Sequence, residues 1–560
     1  MTTAAYGFDR YLRYDELTSW LHGVAAANPG LVTVEQYGTS FEGRPLWLVT
    51  VTDHETGTHD TKPAHWVDAS IHAVELTATV SACHLVHHLV NGHATGDPIV
   101  VEALRSRTFY IVPRVNPDGA EWVLADRPTF RRSSTRPWPW RAAARLPGLH
   151  VTDVDGDGRV LSMRIADPDG AWMAHPDDGR LMIPVPIDGM VSGAPRYRIF
   201  LEGTVHDHDG FTIPTPPAPE SLDLNRNFPA GWGTDVAGSG DHPLSEPEID
   251  ALVRAIVARP NICGYNAFHT AGGLLLRPSS MGADSTLPPG DVWVWKQLAE
   301  RGTALTGYTS HSVFDDFTWD PSKTMSGAAD DWVYEHLGIY GWTTEYWDMV
   351  HVATGHKQTK DFWYLGPTDE QALAVLRWCD EHHPAGHVDW YPFDHPQLGP
   401  LELGGWDELS VWFNPPPHLL RAEVAPHAEF AVHHALCSPR LEVRHTAVSR
   451  LGTNRWRVEV GLANTGWLAT YVSQRARKER LVKPIVVELT GDAVDVVDKP
   501  ARREIGQLEG RAAMRFTLRN DGTPDRALVA WTVVADEGAA VNIVAKHDRS
   551  GQVSVALPLE

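Results

Sequence analysis

The feature that most constrains this chain is an alternation of short apolar segments with longer amphipathic ones over residues 1 to about 385. The short segments have the length and composition of buried strands, whereas the longer ones repeat apolar residues at helical spacing. The predicted strands are PLWLVTV (45–51), HWVDAS (65–70), TFYIVPRV (108–115), ICGYNAFH (262–269) and YGWTTEY (340–346), and the predicted helices are 76–92, 246–258, 290–305 and 368–383. This alternation predicts an α/β fold with a mixed, mostly parallel twisted sheet flanked by helices.

Three regions depart from the alternation. Residues from about 136 to 222 are rich in Pro, Gly and Asp, which predicts an insertion in the first domain rather than a separate folding unit. Residues 386–417 are rich in Pro, Gly and Trp, which predicts a linker. Residues 418–560 carry short alternating runs separated by turn residues, which predicts an all-β sandwich. We therefore expect a first domain over 1–385, a linker and a second, β-sandwich domain.

Composition excludes several classes of function. The 560 residues carry a formal net charge of -23, which argues against nonspecific nucleic-acid binding and against docking on an anionic membrane. No segment approaches the roughly 18 apolar residues of a membrane span. The N-terminus lacks the basic and apolar pattern of a secretory signal, and the four cysteines are far apart in apolar contexts typical of buried thiols. We therefore expect a cytoplasmic protein.

Three residues are candidate ligands of a metal ion. His72 and Glu75 follow the strand HWVDAS and precede the next predicted helix, and His269 ends another apolar strand. Zinc binds imidazole nitrogen and carboxylate oxygen, and strand ends are where α/β sheets build sites. Taken singly, a solvated helix start and a packed strand-end histidine remain alternatives. Together the three residues predict a zinc site.

Glu345 is the candidate general base. It lies near the end of the apolar strand YGWTTEY, where burying a carboxylate is unfavourable unless it serves a function. Hydrolysis at a zinc ion requires a base for the attacking water and a cation for the developing oxyanion. A carboxylate at the end of a buried strand meets the first requirement.

Five motifs occur in a set order along the first domain. They are HAVE (72–75), PRVNPDGAEW (113–122), LDLNRNFPAGW (222–232), PLSEPE (243–248) and GAADDWVYEHLGIYGWTTEYWD (327–348). In this order they resemble the zinc motif, the NPDG turn, the NRN motif, the SEPE helix start and the catalytic strand of the zinc carboxypeptidases of the carboxypeptidase A and B family. The resemblance covers residues 8 to about 385. It implies the fold of that family and a metallocarboxypeptidase activity.

The resemblance also implies roles for individual residues around the metal. His72, Glu75 and His269 match the ligands of the family's zinc ion. Glu345 matches the base that takes a proton from the attacking water and hands it to the leaving amine. Asp223 matches a carboxylate expected to orient His72.

Further residues match the parts of the family site that bind substrate. Arg131 matches the arginine that polarises the scissile carbonyl, and an alternative register places Arg132 there. Asn225 and Arg226 match the pair that binds the terminal carboxylate of the substrate, for which a guanidinium fork is suited. Asp330 matches the floor of the specificity pocket, where an Asp implies preference for C-terminal Lys or Arg; a solvated or helix-capping Asp330 is the alternative.

Three features depart from the family pattern. Val74 stands where many members have an arginine between the zinc ligands, and Lys323 stands where the family has a mobile tyrosine over the substrate. A lysine there still has the charge to meet a carboxylate. The insertion over 136–222 lengthens the chain between the second and third ligands. We expect it to roof the cleft and to restrict access to short peptides or unusual acyl-amino acids.

A second metal site is suggested by DVDGDGRV (153–160). Asp153, Asp155 and Asp157 precede Gly158 as in the first half of a calcium loop. The glutamate expected at the twelfth position is replaced by Arg164, so a plain acidic turn is the alternative. A structural calcium ion would rigidify the insertion.

The predicted function is that of a zinc-dependent metallocarboxypeptidase acting on the C-terminal bond of peptides, with a preference for basic terminal residues. Two alternatives use the same scaffold: an endopeptidase acting on peptidoglycan stems and a deacylase of N-acyl amino acids. All three imply a peptide or acyl-amino-acid substrate with a free carboxylate. An inactive binding protein is a further alternative, which the complete set of ligands, base and arginines disfavours.

Overall fold

The computed structural model describes residues 6–138, 146–187, 193–216, 218–318, 324–358, 362, 365–513 and 522–560. Its helices are α1 (Tyr14–Ala27), α2 (Leu76–Thr95), α3 (Pro98–Ser106), α4 (Pro117–Val123), α5 (Pro247–Val257), α6 (Pro289–Thr306), α7 (Ala329–Leu337), α8 (Met349–Thr354), α9 (Asp369–His382), α10 (Leu420–Leu436) and α11 (Gln474–Lys478).

The strands form one large central sheet, smaller antiparallel sheets beside it, and two sheets near the C-terminus. They are β1 (Val32–Thr39), β2 (Pro45–Val51), β3 (Ala64–Ala69), β4 (Thr108–Val112), β5 (Gly148–Val151), β6 (Ser162–Ala166), β7 (Trp172–Ala174), β8 (Met182–Pro184), β9 (Tyr197–Leu201), β10 (Gly203–His206), β11 (Ile262–Thr270), β12 (Leu274–Arg277), β13 (Thr309–Ser312), β14 (Tyr340–Tyr346), β15 (His387–His395), β16 (Gly399–Trp406), β17 (Leu441–Gly452), β18 (Arg455–Asn464), β19 (Val486–Thr490), β20 (Asp495–Val496), β21 (Arg502–Glu504), β22 (Arg526–Val534), β23 (Ala540–His547) and β24 (Gly551–Pro558).

The central sheet has eight strands in the order β1-β2-β4-β3-β11-β14-β12-β13. Its centre is parallel, since β3 pairs in parallel with β4 and β11, and β11 with β14. Every residue of β3 and β11 is buried, as expected for strands covered on both faces by helices. The predicted fold class is confirmed. The parallel centre brings the carboxyl ends of β3, β11 and β14 to one edge of the sheet.

The insertion and the predicted linker fold together. The strands β15 and β16 of the predicted linker pair as a hairpin, and β16 pairs with β6 of the insertion in a six-stranded sheet of order β15-β16-β6-β9-β7-β8. The Pro, Gly and Trp content predicted a linker over 386–417, but most of residues 387–406 lies in the paired strands β15 and β16. Residues 402–404 of β16 pair with residues 162–164 of β6, which precede them by more than two hundred positions.

The predicted boundary of the C-terminal domain is also corrected. Residues Leu420–Leu436 form α10, which packs against α2, α6 and β11 of the first domain and is not part of a β-sandwich. The sandwich, called here the β-domain (441–558), consists of two four-stranded antiparallel sheets around their own apolar core. One of the short alternating runs of the predicted sandwich, AAMRFTLRN (512–520), falls mostly outside the described residues.

Candidate metal centre and cleft

Three buried side chains converge at the carboxyl edge of the central sheet. His72 Nδ1 lies 2.7 Å from Glu75 Oε1, and His269 Nδ1 lies 2.9 Å from Glu75 Oε2. The two imidazole Nδ1 atoms are 3.2 Å apart. Two nitrogens and a carboxylate, drawn from positions 197 residues apart, therefore face one point.

The chain geometry around β3 and α2 places the first two of these residues. The chain leaves β3 through Ser70, whose left-handed backbone has a φ of 52°. The Ser70 hydroxyl lies 3.0 Å from Glu75 O and 2.8 Å from Thr79 Oγ1 of α2, which ties the loop to the helix start. His72 and Glu75 project from this tied loop just before α2 begins at Leu76.

The donor set fits zinc better than it fits a hydrogen-bonded cluster. The Nδ1 atoms of both imidazoles face the Glu75 carboxylate and each other. Without a metal ion, the two Nδ1 atoms would have to share the hydrogen atoms that lie between them. Glu75 Oε2 is buried and has no hydrogen bond of good geometry to any residue that the structure describes. Burial alone would raise the pKa of Glu75, but the two imidazoles hold it below its ordinary value. An ionised carboxylate with two imidazole nitrogens is a zinc ligand set.

Asp223 and Arg132 lie on the far side of His72. His72 Nε2 is 3.0 Å from Asp223 Oδ1, and Arg132 Nε donates to Asp223 Oδ2 at 3.2 Å. Although burial opposes ionisation, Arg132, His72 and Arg226 hold the pKa of Asp223 well below its ordinary value. Asp223 is therefore placed to fix the ring orientation of His72 with Nδ1 free for a metal.

Glu345 enters the site from β14. In the parallel pairing of β11 with β14 it stands directly opposite His269, which accounts for its position beside the ligands. Burial is the main cause that raises the pKa of Glu345 to about 8, with Glu75 and Asp330 adding to the rise and His269 and Arg132 opposing it. Glu345 Oε2 is buried without a hydrogen-bond partner among the described residues.

A second group of polar side chains lies in the same cavity. Asn225 and Arg226 come from a short 3₁₀ turn that Asp223 caps by accepting a hydrogen bond from Asn225 N. Asn225 Oδ1 accepts from Ala329 N at the start of α7, and Asp330 follows directly in that helix. Asp330 is buried and lines the cavity.

The cavity that holds both groups has a volume of about 490 Å³. Its lining includes the three candidate ligands, Glu345, Arg132, Asn225, Arg226 and Asp330.

A family model described as zinc carboxypeptidase matches residues 17–144 and 187–364, more than half of the chain. The chain belongs to the zinc carboxypeptidase family. A second model, of a domain of unknown function, matches residues 440–558, which coincide with the β-domain. Residues 365–439 lie outside both matches.

Relatives that align with part of this chain are about 30% identical to it over the aligned segment. A carboxypeptidase B of Astacus astacus is 31% identical over 168 residues, which cover 30% of this chain and 46% of the relative. A zinc carboxypeptidase A 1 of Drosophila melanogaster is 30% identical over 170 residues, covering 30% and 39%. The chain thus spans less than half the length of these relatives.

Solved structures of carboxypeptidases align over a larger share of the chain at lower identity. Thrombin-activatable fibrinolysis inhibitor aligns with a TM-score of 0.43 and 17% identity over 77% of this chain and 75% of the other. Carboxypeptidase A from Helicoverpa armigera aligns with a TM-score of 0.42 and 18% identity over 69% and 76%.

The structure corrects the predicted arginine. Arg131 does not line the cavity. Its guanidinium pairs with Glu220 at 3.1 Å and lies over the ring of Trp122. Arg132, the alternative register, is the one that lines the cavity beside His72. The motif alone does not distinguish the two arginines, because they are neighbours in an irregular segment and differ only in the direction of their side chains. Lys323 lies outside the described residues.

Sequence reasoning missed one wall of the cavity. Trp406, Glu408, Trp412 and Phe413 line it, and they come from the segment predicted as a linker. We call residues 406–414 the cleft segment. Asn414 anchors this segment to the metal loop, by which we mean the residues 70–75 that carry two candidate ligands. It donates to Val74 O at 2.8 Å and accepts from Thr77 N at 3.0 Å. The run of Trp and Phe was the only signal in the sequence that could have indicated a binding surface.

The acidic loop of the insertion has its three carboxylates within 4.8 Å of one another. They also make hydrogen bonds inside the loop: Asp153 accepts from Gly156 N and Gly158 N, and Asp157 pairs with Arg159. Tyr391 of β15 donates to Asp155. Calcium binding there stays a prediction, which isothermal titration with calcium tests.

Among the described residues, the helices are too short or too polar to cross a bilayer. The four cysteines are free thiols, and Cys437 is the least buried of them. The cytoplasmic location stays a prediction.

Proposed function

We propose that this chain is a zinc-dependent carboxypeptidase that removes the C-terminal residue of peptides. The observation that carries the proposal is that the candidate zinc ligands and the pair Asn225 and Arg226 line one cavity. A substrate whose terminal carboxylate binds that pair presents its last peptide bond to the metal ligands and to Glu345.

His72, Glu75 and His269 would hold the zinc ion. When bound, zinc supplies a Lewis acid that polarises a carbonyl and lowers the pKa of a water molecule. The rest of the reaction depends on the side chains around it.

Glu345 acts as the general base in this proposal. Its carboxylate accepts a proton from the attacking water and delivers it to the nitrogen of the leaving amino acid. Arg132 projects into the cavity from the Asp223 side, where its guanidinium is available to the oxyanion that develops on the scissile carbonyl. Asp223 holds both Arg132 and His72, so one carboxylate positions the oxyanion donor and a metal ligand.

Asp330 supports a preference for basic terminal residues. It is a buried acidic group that lines the cavity at the start of α7, next to Ala329, whose N–H donates to Asn225 Oδ1. A lysine or arginine side chain brought into this buried environment gains a charge partner, whereas an acidic side chain meets repulsion.

A panel of peptides that differ only in the terminal residue tests the proposal. Peptides ending in Lys, Arg, Phe, Leu or Glu are incubated with the zinc-loaded protein, and the released amino acid is quantified. We expect release from free C-termini, highest for Lys and Arg, and none from C-terminal amides. The basic preference should fall in Asp330→Asn. Cleavage of amides at the same rate as free acids would contradict an exopeptidase.

The deacylase and peptidoglycan alternatives are tested by adding N-acyl amino acids and peptidoglycan stem peptides to the panel. The aromatic side chains of Trp406, Trp412 and Phe413 offer an apolar surface that an acyl group would also contact. Release of free amino acids from N-acyl amino acids but not from peptides would favour the deacylase. Internal cleavage of peptidoglycan stems would favour the endopeptidase.

A further inference from the structure

The cleft segment brings an acidic side chain into the cavity that the family motifs do not account for. Glu408 lines the cavity with Trp406, Trp412 and Phe413, and its neighbours Asp407 and Leu409 face a separate small pocket on the other side of the turn. Of the three consecutive residues Asp407, Glu408 and Leu409, the middle one therefore lines the cavity and its two neighbours do not.

Glu408 has no partner of its own. Among the described residues, no hydrogen bond or ion pair involves its carboxylate, and Asp407 is the charged neighbour that acts on it. Burial is the larger cause that raises the pKa of Glu408 to about 7. A half-buried carboxylate without a donor is unfavourable, and a cation supplied by a ligand would relieve it.

The surroundings of Glu408 also suit a cation. Trp406 and Trp412 lie edge to face with ring centroids 5.6 Å apart, and Phe362 packs on Trp412 at 6.4 Å. Indole and phenyl faces attract ammonium groups, most strongly where water is partly excluded. A carboxylate among aromatic rings is the combination that binds an ammonium group.

The place of the cleft segment in the cavity indicates which part of a substrate it meets. Asn414 and Phe413 hold the segment against Val74 and Phe130 beside the metal loop. Asn225, Arg226 and Asp330 form the other group of polar lining residues, and within the described part of the chain no ion pair or hydrogen bond links Glu408 to them. A peptide whose carboxyl end is bound by Asn225 and Arg226 extends its preceding residues toward the cleft segment.

We propose that Glu408, with Trp406 and Trp412, binds the free α-ammonium group of a short peptide substrate. This inference rests on the proposed function for its polarity, since the carboxylate end of the peptide must occupy the Asn225 and Arg226 side. It makes the chain a carboxypeptidase for peptides of a few residues, because a longer chain would carry its ammonium group beyond the reach of Glu408.

Binding of matched peptides to the zinc-loaded Glu345→Gln protein tests this directly. Di-, tri- and tetrapeptides are compared with the same peptides after N-acetylation, by the change in tryptophan fluorescence on titration. For the length that fits, we expect the free amine to bind about 10- to 100-fold more tightly, the range of a hydrogen bond to a charged group. Equal affinity of free and acetylated peptides at every length would overturn the proposal.

Variants of Glu408 in the same background separate charge from structure. Glu408→Gln and Glu408→Ala should abolish the preference for the free amine while leaving the affinity for acetylated peptides unchanged. Glu408→Lys should prefer N-succinyl peptides, an inversion that a merely structural role does not produce. The matched control is Glu370→Gln, an exposed glutamate in the first turn of α9 that does not line the cavity and should not affect the preference. A preference that survives in Glu408→Gln would reject the assignment.

Two further arms identify the source of the cation and separate this inference from the proposed activity. If N-acetylated peptides with a lysine before the terminal residue bind as tightly as free amines, the ligand is a side chain and the α-ammonium assignment is wrong. If the wild-type protein shows the binding preference but releases no amino acid, the carboxypeptidase proposal fails and Glu408 keeps its role. If the protein releases amino acids but shows no preference for free-amine peptides, the carboxypeptidase proposal stands and the assignment of Glu408 fails.

Discussion

The cleft segment and the β-domain are two additions to the same catalytic fold, and they use opposite principles. The cleft segment, residues 406–414, lies outside both family matches and lines the cavity with aromatic rings and an acid. The β-domain has a family match of its own, yet its described residues contribute nothing to that cavity. Position relative to the candidate metal ligands, rather than size, separates an addition that lines the cavity from one that lies outside it.

The β-domain is fixed to the first domain by buried polar contacts. Asp291 of α6 accepts from Tyr334 and Tyr340 hydroxyls and from the backbone N–H groups of Gln474 and Arg475 in the β-domain. Such a contact fixes one orientation, because each donor left unmatched would cost free energy. The two domains are therefore expected to unfold as coupled units.

Close backbone approach reinforces the same junction. Arg549 is buried and donates to the carbonyl of Gly338 at 3.4 Å and to that of Tyr471 at 3.3 Å. Gly338 has a φ of 62°, and a Cβ there would lie 2.4 Å from the Cβ of Ala476. A side chain at position 338 would force α11 away from the end of α7.

The largest expected effect sets the baseline for comparing the two regions. Glu345→Gln should keep the metal but lower kcat by about 10²–10⁴-fold, since it removes the group that moves the proton. Zinc content by elemental analysis and single-turnover kinetics measure the two quantities. Retained activity would remove Glu345 as the base and would leave neither region with a defined reaction to modify.

Next in size is a change at the junction with the β-domain. Asp291→Asn keeps the shape of the side chain but sets an amide N–H₂ against hydroxyl and backbone donors. We expect the stability to fall by about 2–4 kcal/mol, the cost of unsatisfied buried groups, with KM unchanged. Thermal unfolding and steady-state kinetics on one preparation test it; a raised KM with no loss of stability would break the proposed division between the regions.

A matched pair of tryptophan variants sharpens the comparison. Trp412→Ala removes part of the cavity wall and should raise KM by roughly tenfold, as expected from the apolar area that a substrate no longer buries. Trp467→Ala, which removes a ring stacked on Trp293 at 6.0 Å, should leave KM unchanged and lower Tm by a few degrees. If both variants changed KM equally, the regions would not differ as described.

The smallest effect concerns pH and the helix between the two regions. His427 and His434 of α10 are buried without hydrogen-bond partners among the described residues, packed on Tyr308, Tyr346 and His65. Burial lowers the pKa of His427 to about 3 and that of His434 well below its ordinary value. Below pH about 6.5, His427 and His434 therefore bind protons in the unfolded chain but stay neutral in the folded chain. The free energy of unfolding falls as the pH decreases toward 3.

His427→Phe checks this pH dependence. The phenyl ring fills the same space without a titrating group, so the slope of stability against pH between 5 and 6.5 should decrease by up to one proton. Denaturant unfolding at several pH values measures the slope. An unchanged slope would show that His427 is protonated in the folded protein.

The sequence by itself determined the parts of the site that depend on local order. His72 and Glu75 are three residues apart at a strand-to-helix junction, so their convergence follows from the loop that joins β3 to α2. The apolar strands and the helical periodicity fixed the α/β sheet, and the register of β11 with β14 then brought Glu345 beside His269. Local motifs sufficed because the side chains they name sit at the ends of neighbouring parallel strands.

Only the tertiary structure decided the rest. Arg131 and Arg132 carry the same side chain, and the contact of one with Glu220 and the other with Asp223 separates them. The cleft segment reaches the cavity because β16 pairs with β6, a contact across more than two hundred residues that no local pattern records. The helix α10 is a second example. Its internal proline and its histidines weaken the helical pattern in the sequence, and burial against α2 and α6 stabilises the helix. Long-range pairing and burial depend on partners elsewhere in the chain, so composition and periodicity did not disclose them.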